Sequence, residues 1–217
     1  MQMINRKKRI LFYVIGLILI GFILLSFLVS AFPASMLDRN FSQEVQENHN
    51  PGLKIVMKTV SWFGYMPYSL IMVLLTALIF YLCKYKKEAL FVMLTLTSGV
   101  VSTTIKIIVD RPRPTKDMVT IVETAGHQSF PSGHTLFYVM FFGFLVVLMR
   151  HLKFLSSVVR LLVTSLSLFL IFTIPFSRVY LGAHWFTDVL GGFMLGIVCL
   201  FILSYNYLKT TKLVEEV

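Results

Sequence analysis

Charge is what this sequence has least of. Only 14% of its 217 residues are Asp, Glu, Lys or Arg, against about 25% in a globular domain that must face water. With 57% hydrophobic residues and a mean hydropathy of +0.80, that shortage excludes an ordinary soluble domain and points to a chain that faces lipid. Acids are scarcer than bases, 10 against 20, for a net charge of +10. In a soluble protein such an excess would suggest a nucleic-acid partner, so where the bases stand decides what they mean. Cysteine is almost missing: Cys83 and Cys199 lie in apolar runs without metal-ligand spacing, which leaves neither a disulfide framework nor a zinc site. No internal repeat or low-complexity tract interrupts the chain, and residues 1–217 read as a single domain.

What the chain does have is six apolar runs, and roughly 20 residues suffice to cross about 30 Å of hydrocarbon. They cover Ile10 to Phe32, Tyr65 to Cys83, Ala89 to Val109, His134 to Met149, Leu161 to Phe176 and Phe186 to Tyr207. The fourth and fifth are short and are delimited by Arg150, Lys153 and Arg160 between them. The first follows Arg6, Lys7, Lys8 and Arg9 like the start of a signal peptide, but its apolar core exceeds the usual ~7–15 residues, and it reads as an uncleaved anchor.

Lys and Arg accumulate on cytoplasmic loops. The N-terminus, the 84–87 loop, the 150–160 loop and the C-terminal tail together hold 12 bases against 3 acids, whereas the opposite face has 8 bases against 7 acids. Both termini are therefore expected in the cytoplasm, and the net charge needs no nucleic acid to explain it. On the outer side, Asn50 suits a helix cap and Pro51 a first helical turn. Leu53, Val56, Met57, Val60 and Phe63 then recur at helical spacing opposite Lys54 and Lys58, a pattern for a helix that lies on the membrane surface or covers the end of the bundle.

The remaining polar chemistry gathers in two stretches of that outer side: Lys106 to His134, and Ser177 to Asp188. Span parity puts both on one face. Lys106, at the outer end of an apolar helix, is costly there unless it has a partner; with Arg113 and Arg178 it could surround an anion, since guanidinium forks match phosphate oxygens. Each alone could instead snorkel to headgroups. Pro131, Ser132, Gly133 and His134 precede a helix, where backbone donors, the helix dipole and a Ser132 hydroxyl suit an anion; Ser132 could equally be a plain cap. His184 and Asp188, four apart, share a helical face, so the carboxylate can hold one imidazole nitrogen and leave the other as base or nucleophile. A structural hydrogen bond or half of a metal site are the other readings, and a metal is disfavoured because three cations would repel it and no carboxylate or Cys cluster accompanies the histidines. His49, His127 and His151 lack such partners and read as loop residues.

Taken together, Lys106 with Arg113-Pro114, Pro131 to His134, and Ser177, Arg178, His184 and Asp188 resemble the three motifs of the type 2 phosphatidic acid phosphatases, membrane lipid phosphatases whose site is related to that of vanadium haloperoxidases. Phe186 stands where many bacterial members have Pro. The resemblance implies an all-α integral membrane protein, a six-transmembrane-helix bundle with its active site at the extracytoplasmic face of a bacterial plasma membrane. It implies metal-independent hydrolysis of a lipid phosphomonoester or pyrophosphate through a phosphohistidine, with phosphatidylglycerophosphate, undecaprenyl pyrophosphate or phosphatidic acid as substrate. His184 is then the nucleophile, Asp188 its orienting carboxylate and His134 the acid and base. Lys106, Arg113, Ser132, Gly133 and Arg178 bind phosphate. No cofactor, metal, nucleic acid or obligatory protein partner is implied beyond membrane lipids and the lipid phosphate itself. Two other activities share these residues: lipid phosphotransfer from the same phosphohistidine, and anion binding in a transporter. Against the transporter, matching Gly/Pro-broken spans are missing; the haloperoxidase relatives are soluble.

Overall fold

Helices account for all the regular structure of the described residues of the computed structural model, which are 2–47, 50–124, 126 and 128–215. His49, His127 and Glu216 lie outside them. In chain order the helices are α1 (Gln2–Ala31), α2 (Met36–Gln46), α3 (Pro51–Trp62), α4 (Tyr68–Leu82), α5 (Lys86–Leu94), α6 (Thr97–Val109), α7 (Gly133–His151), α8 (Ser157–Tyr180) and α9 (Phe186–Glu215). Among the described residues, five segments are long and apolar enough to cross a membrane: Lys8–Ala31, Lys86–Val109, Gly133–His151, Ser157–Tyr180 and Phe186–Thr210. The second apolar run yields only the 15 residues of α4, about 22 Å of helix at 1.5 Å per residue.

The two runs expected to be short are longer as helices, because Arg150 and Arg160 are taken into the ends of α7 and α8, where long basic side chains can reach outward while the backbone stays helical. His151 accordingly closes α7, its Nδ1 2.9 Å from the Val147 carbonyl, and is not a loop residue. The third span is continuous in length but breaks between α5 and α6, where Thr95 Oγ1 turns back to the Val92 carbonyl at 2.6 Å and competes with the helical ladder.

At the centre stands α7, with 12 of its 19 residues buried, whereas α1 buries little beyond Phe22 and Val29. In lipid, helices associate through close packing more than through exclusion of water, so small residues mark the contacts. Here the contact of α7 with α9 is made at glycines. A Cβ on Gly192 would stand 2.5 Å from the Ser132 carbonyl, one on Gly196 2.8 Å from Val139, and one on Gly143 2.5 Å from Leu200. That approach brings the start of α7 beside the start of α9.

Between α1 and α4, α3 forms as its pattern predicts: Asn50 Oδ1 accepts the Gly52 N–H at 2.8 Å and Pro51 opens the helix. Its inner face is bound to α8, since the Ser177 hydroxyl donates to the Met57 carbonyl at 2.6 Å and lies 2.7 Å from Ser61 Oγ. The covering role is thus present, while Ile55, Val56 and Trp62 face outward. The preceding α2 was not legible as a helix. It buries its polar stripe, Asp38, Ser42 and Gln46, and exposes Met36 and Leu37, the reverse of the usual amphipathic arrangement.

Candidate active site

The ends of four spanning helices supply the site, and each end is shaped by its own sequence. Asp110, in the left-handed conformation at φ 47°, ends α6, a position short polar side chains tolerate. The chain then runs out past Arg111, Pro112, Arg113 and Pro114. α8 ends in a two-bond reversal: Gly182, at φ 68°, donates to the Val179 carbonyl at 2.9 Å and Ala183 to the Arg178 carbonyl at 3.1 Å, a Schellman turn. Only glycine fits there, because a Cβ would stand 2.4 Å from the Thr120 carbonyl. That turn delivers His184 directly after it, and α9 begins two residues later.

Asp188 does two jobs in that helix start. Its Oδ2 accepts the Trp185 backbone N–H at 2.8 Å, the return half of a capping box, and stands 3.4 Å from His184 Nδ1. The Ser129 hydroxyl donates to the same oxygen. His184 Nε2 points the other way, 3.3 Å from Arg113 Nη1, and lines a cavity of about 530 Å³. His134, Lys106, Arg113 and Gly133 share that wall, and Tyr65, Ser102, Leu70, Leu96 and Phe137 are among its other lining residues. Lys106 Nζ donates to the carbonyls of Gln128 at 2.6 Å and Ser129 at 3.2 Å. His134 packs edge-on against Tyr65, 4.8 Å between ring centroids, and its Nε2 is a buried nitrogen with no hydrogen-bond partner among the described residues.

Two expected phosphate ligands stand behind the cavity wall. Ser132 is buried and caps α7, accepting the Thr135 N–H at 3.4 Å. Arg178 is buried too, paired with Glu123 at 3.0 Å and donating to Ser61 Oγ and Tyr65 OH at 2.9 Å each; the Tyr65 hydroxyl in turn donates to Glu123. Its charge still reaches the site. Burial first and then Arg178 lower Arg113 to about 10, and burial followed by Arg113, Lys106 and Arg178 holds His184 well below the usual histidine range. A neutral imidazole surrounded by cations can serve as a base or a nucleophile.

Several residues here carried no signal as site residues in the sequence. Ser102, a buried hydroxyl without a hydrogen-bond partner among the described residues, sits one helical turn before Lys106, a spacing that could have flagged it. Ser129, Tyr65 and Glu123 could not have been found, because their partners come from remote segments. The same is true of Arg111, which is 1% exposed and donates to Asp38 Oδ2 at 2.7 Å and Asp188 Oδ1 at 2.5 Å.

The site end of the bundle is opposite the basic loops. There Lys87 Nζ reaches the Tyr207 carbonyl at 2.7 Å and Tyr85 stacks on Phe154, 4.5 Å between centroids, so the 84–87 and 150–160 loops and the α9 C-terminal half share one end.

This fold is close to the crystal structure of the first transmembrane PAP2 type phosphatidylglycerolphosphate phosphatase from Bacillus subtilis, with a TM-score of 0.79 and 25% identity over 91% of this chain and 97% of that one. It also resembles Aquifex aeolicus LpxE in fold, with a TM-score of 0.60 and 23% identity over 81% and 99%. In sequence, phosphatidylglycerophosphatase B of Bacillus subtilis (strain 168) is 31% identical over 159 residues, 71% of this chain and 75% of that protein. Residues 87–212, which contain all three motifs, match the PAP2 superfamily model. The chain belongs to the PAP2 superfamily.

Proposed function

We propose that this lipid phosphatase hydrolyses the phosphomonoester or pyrophosphate of a membrane lipid through a phosphohistidine on His184, with phosphatidylglycerophosphate the first substrate to test and undecaprenyl pyrophosphate and phosphatidic acid as the comparison. The observation that carries the reading is that two histidines with different surroundings line one cavity. His184 is backed by a carboxylate on Nδ1, and His134 keeps an uncommitted Nε2. His184 Nε2 attacks phosphorus as the bond to the leaving oxygen breaks, and His134 gives that oxygen its proton. His134 then takes a proton from water, which attacks the phosphohistidine and releases phosphate and neutral His184. Lys106, Arg113 and the Gly133 N–H hold the equatorial oxygens, with Arg178 and Ser132 behind them; such preorganised charge is usually the largest contribution to the rate.

Leu70, Leu96 and Phe137 beside the cations suit an amphiphile whose phosphate is held at the helix ends while its tails stay in lipid. The charge asymmetry supports six crossings within one domain of 217 residues, α4 completing its crossing with the residues that flank it. Both termini are then cytoplasmic and the site extracytoplasmic in a bacterial plasma membrane. Purified protein in detergent with EDTA tests the chemistry: phosphate release from the three lipids is expected to survive EDTA and to disappear in His184→Ala. A strict requirement for added divalent metal would overturn the mechanism, and equal cleavage of soluble phosphate esters would overturn the lipid assignment.

A further inference from the structure

We infer that Asp38 and Arg111 are positioning residues of the hydrolytic site, acting through Asp188 on His184; this rests on the phosphatase reading above. The four residues form one buried line. Arg111 Nη1 takes Asp188 Oδ1 at 2.5 Å and Thr187 Oγ1 at 2.7 Å, Nη2 takes Asp38 Oδ2 at 2.7 Å, and Nε donates to the Pro33 carbonyl at 2.9 Å. Asp38 also accepts the Thr187 backbone N–H at 2.9 Å, in the first turn of α9. Asp38 and Asp188 are both 0% exposed.

The division of the Asp188 carboxylate is the point. With Oδ1 committed to Arg111, Oδ2 is left for His184 Nδ1, the Trp185 N–H and the Ser129 hydroxyl, which holds the carboxylate plane toward the imidazole. One guanidinium fully compensating Asp188 would also weaken its hold on the imidazolium that forms when Nε2 bonds to phosphorus. Asp38 shares that cation, so Asp188 keeps part of its charge for His184. Neither residue lines the cavity. Asp38 comes from α2, outside the segment 87–212 matched by the family model. Its buried polar stripe is what brings this N-terminal segment under the site.

The test is a cycle of Asp38→Asn, Asp188→Asn and the double variant, in full-length protein in detergent with dioctanoyl phosphatidic acid in mixed micelles, counting only protein that elutes and melts as wild type. Asp38→Asn is expected to lower kcat about 10- to 100-fold, less than direct loss of the orienting carboxylate, with KM changed less than about 3-fold, and to cost almost nothing further in the Asp188→Asn background. A fall that multiplies in the double variant, or wild-type kcat in Asp38→Asn, overturns the proposal. The kcat/KM profile gives a second readout. His184 faces Asp188, Arg113, Lys106 and Arg178, with His134 across the cavity, and losing the Asp38 charge is expected to move the acidic limb to lower pH; an upward move contradicts the inference. Should Asp38→Asn not fold, Arg111→Lys, which keeps the charge and loses the fork, carries the same kcat and KM test. If neither variant accumulates as folded protein, the network is a structural requirement only and the inference fails. A wild-type protein inactive on all lipid phosphates would instead overturn the phosphatase reading.

Discussion

The two ends of this bundle carry the same kinds of cation and use them in opposite ways. At the basic-loop end Lys84, Lys86 and Lys153 are exposed and no acid is needed beside them; their work is done by number and side. At the other end Arg111 and Arg178 are each 1% exposed, held by Asp38, Asp188 and Glu123, and Lys106 is capped by two carbonyls. Exposed charges are screened and interact weakly, while buried ones must be matched atom by atom and in return act strongly on their neighbours. Net charge is therefore a poor guide to where chemistry happens: the nearly neutral face carries it.

The comparison breaks most visibly at His134. His134→Ala should lower kcat by about 10²- to 10⁴-fold, the usual worth of a general acid and base, with the fold intact; a loss under tenfold in steady-state phosphate release would take that role away from it. The second test acts on the packing that brings the helix starts together. Gly192→Ala puts a methyl group 2.5 Å from the Ser132 carbonyl, and such overpacking should cost about 1–3 kcal/mol, lowering Tm by about 2–4 °C per kcal/mol. The same change at Gly16, which lies inside α1 with nothing within 4 Å of the added carbon, should not lower Tm, because Ala favours a helix over Gly. If both variants melt alike, the close approach is not what holds the site end together.

The third test is pH. His184 is held neutral in the folded protein by burial and by Arg113, Lys106 and Arg178, while the unfolded chain takes up the proton near pH 6.5. Stability from this group is thus full above about pH 6.5 and is lost, by up to about 1.4 kcal/mol per pH unit, as pH falls from there toward the depressed folded value. His184→Gln should flatten that slope in thermal melts between pH 7 and 5, and an unchanged slope would mean that His184 is not the group responsible. The smallest effect belongs to the opposite end. Lys84, Lys86 and Lys153 replaced together by Gln should leave kcat within about 2-fold, since exposed charges far beyond a Debye length of about 8–10 Å are screened. A larger fall in detergent, where orientation no longer matters, would show that the two ends are coupled.

Much of the fold could be read directly. The apolar runs placed α1 and α7 to α9, and the Asn50-Pro51 signal marked the start of α3, because hydrophobic length and cap chemistry are local properties. α2 escaped because its polar face turns inward, and no sequence period reveals that Asp38 will meet Arg111. In the site, the His184–Asp188 pair was legible from its helical spacing and is found in contact, whereas Arg178 and Ser132 stand behind the wall that they were expected to line, held by Glu123 and by the α7 cap. Their residue types were informative; which neighbours claim their polar atoms depends on contacts across 55 residues in one case and 3 in the other.

Hydropathy, charge asymmetry and motif spacing are carried by the residues regardless of how they pack, and they sufficed to place the chain in a membrane and to mark the helix ends that bear the motif residues. Packing alone reveals which nitrogen of His184 faces the cavity, that Asp188 divides its oxygens between Arg111 and His184, and that α2 is bound to the start of α9 through Asp38. These are outcomes of competition for a limited number of buried donors and acceptors, and that competition is settled only when remote segments are brought within hydrogen-bonding distance.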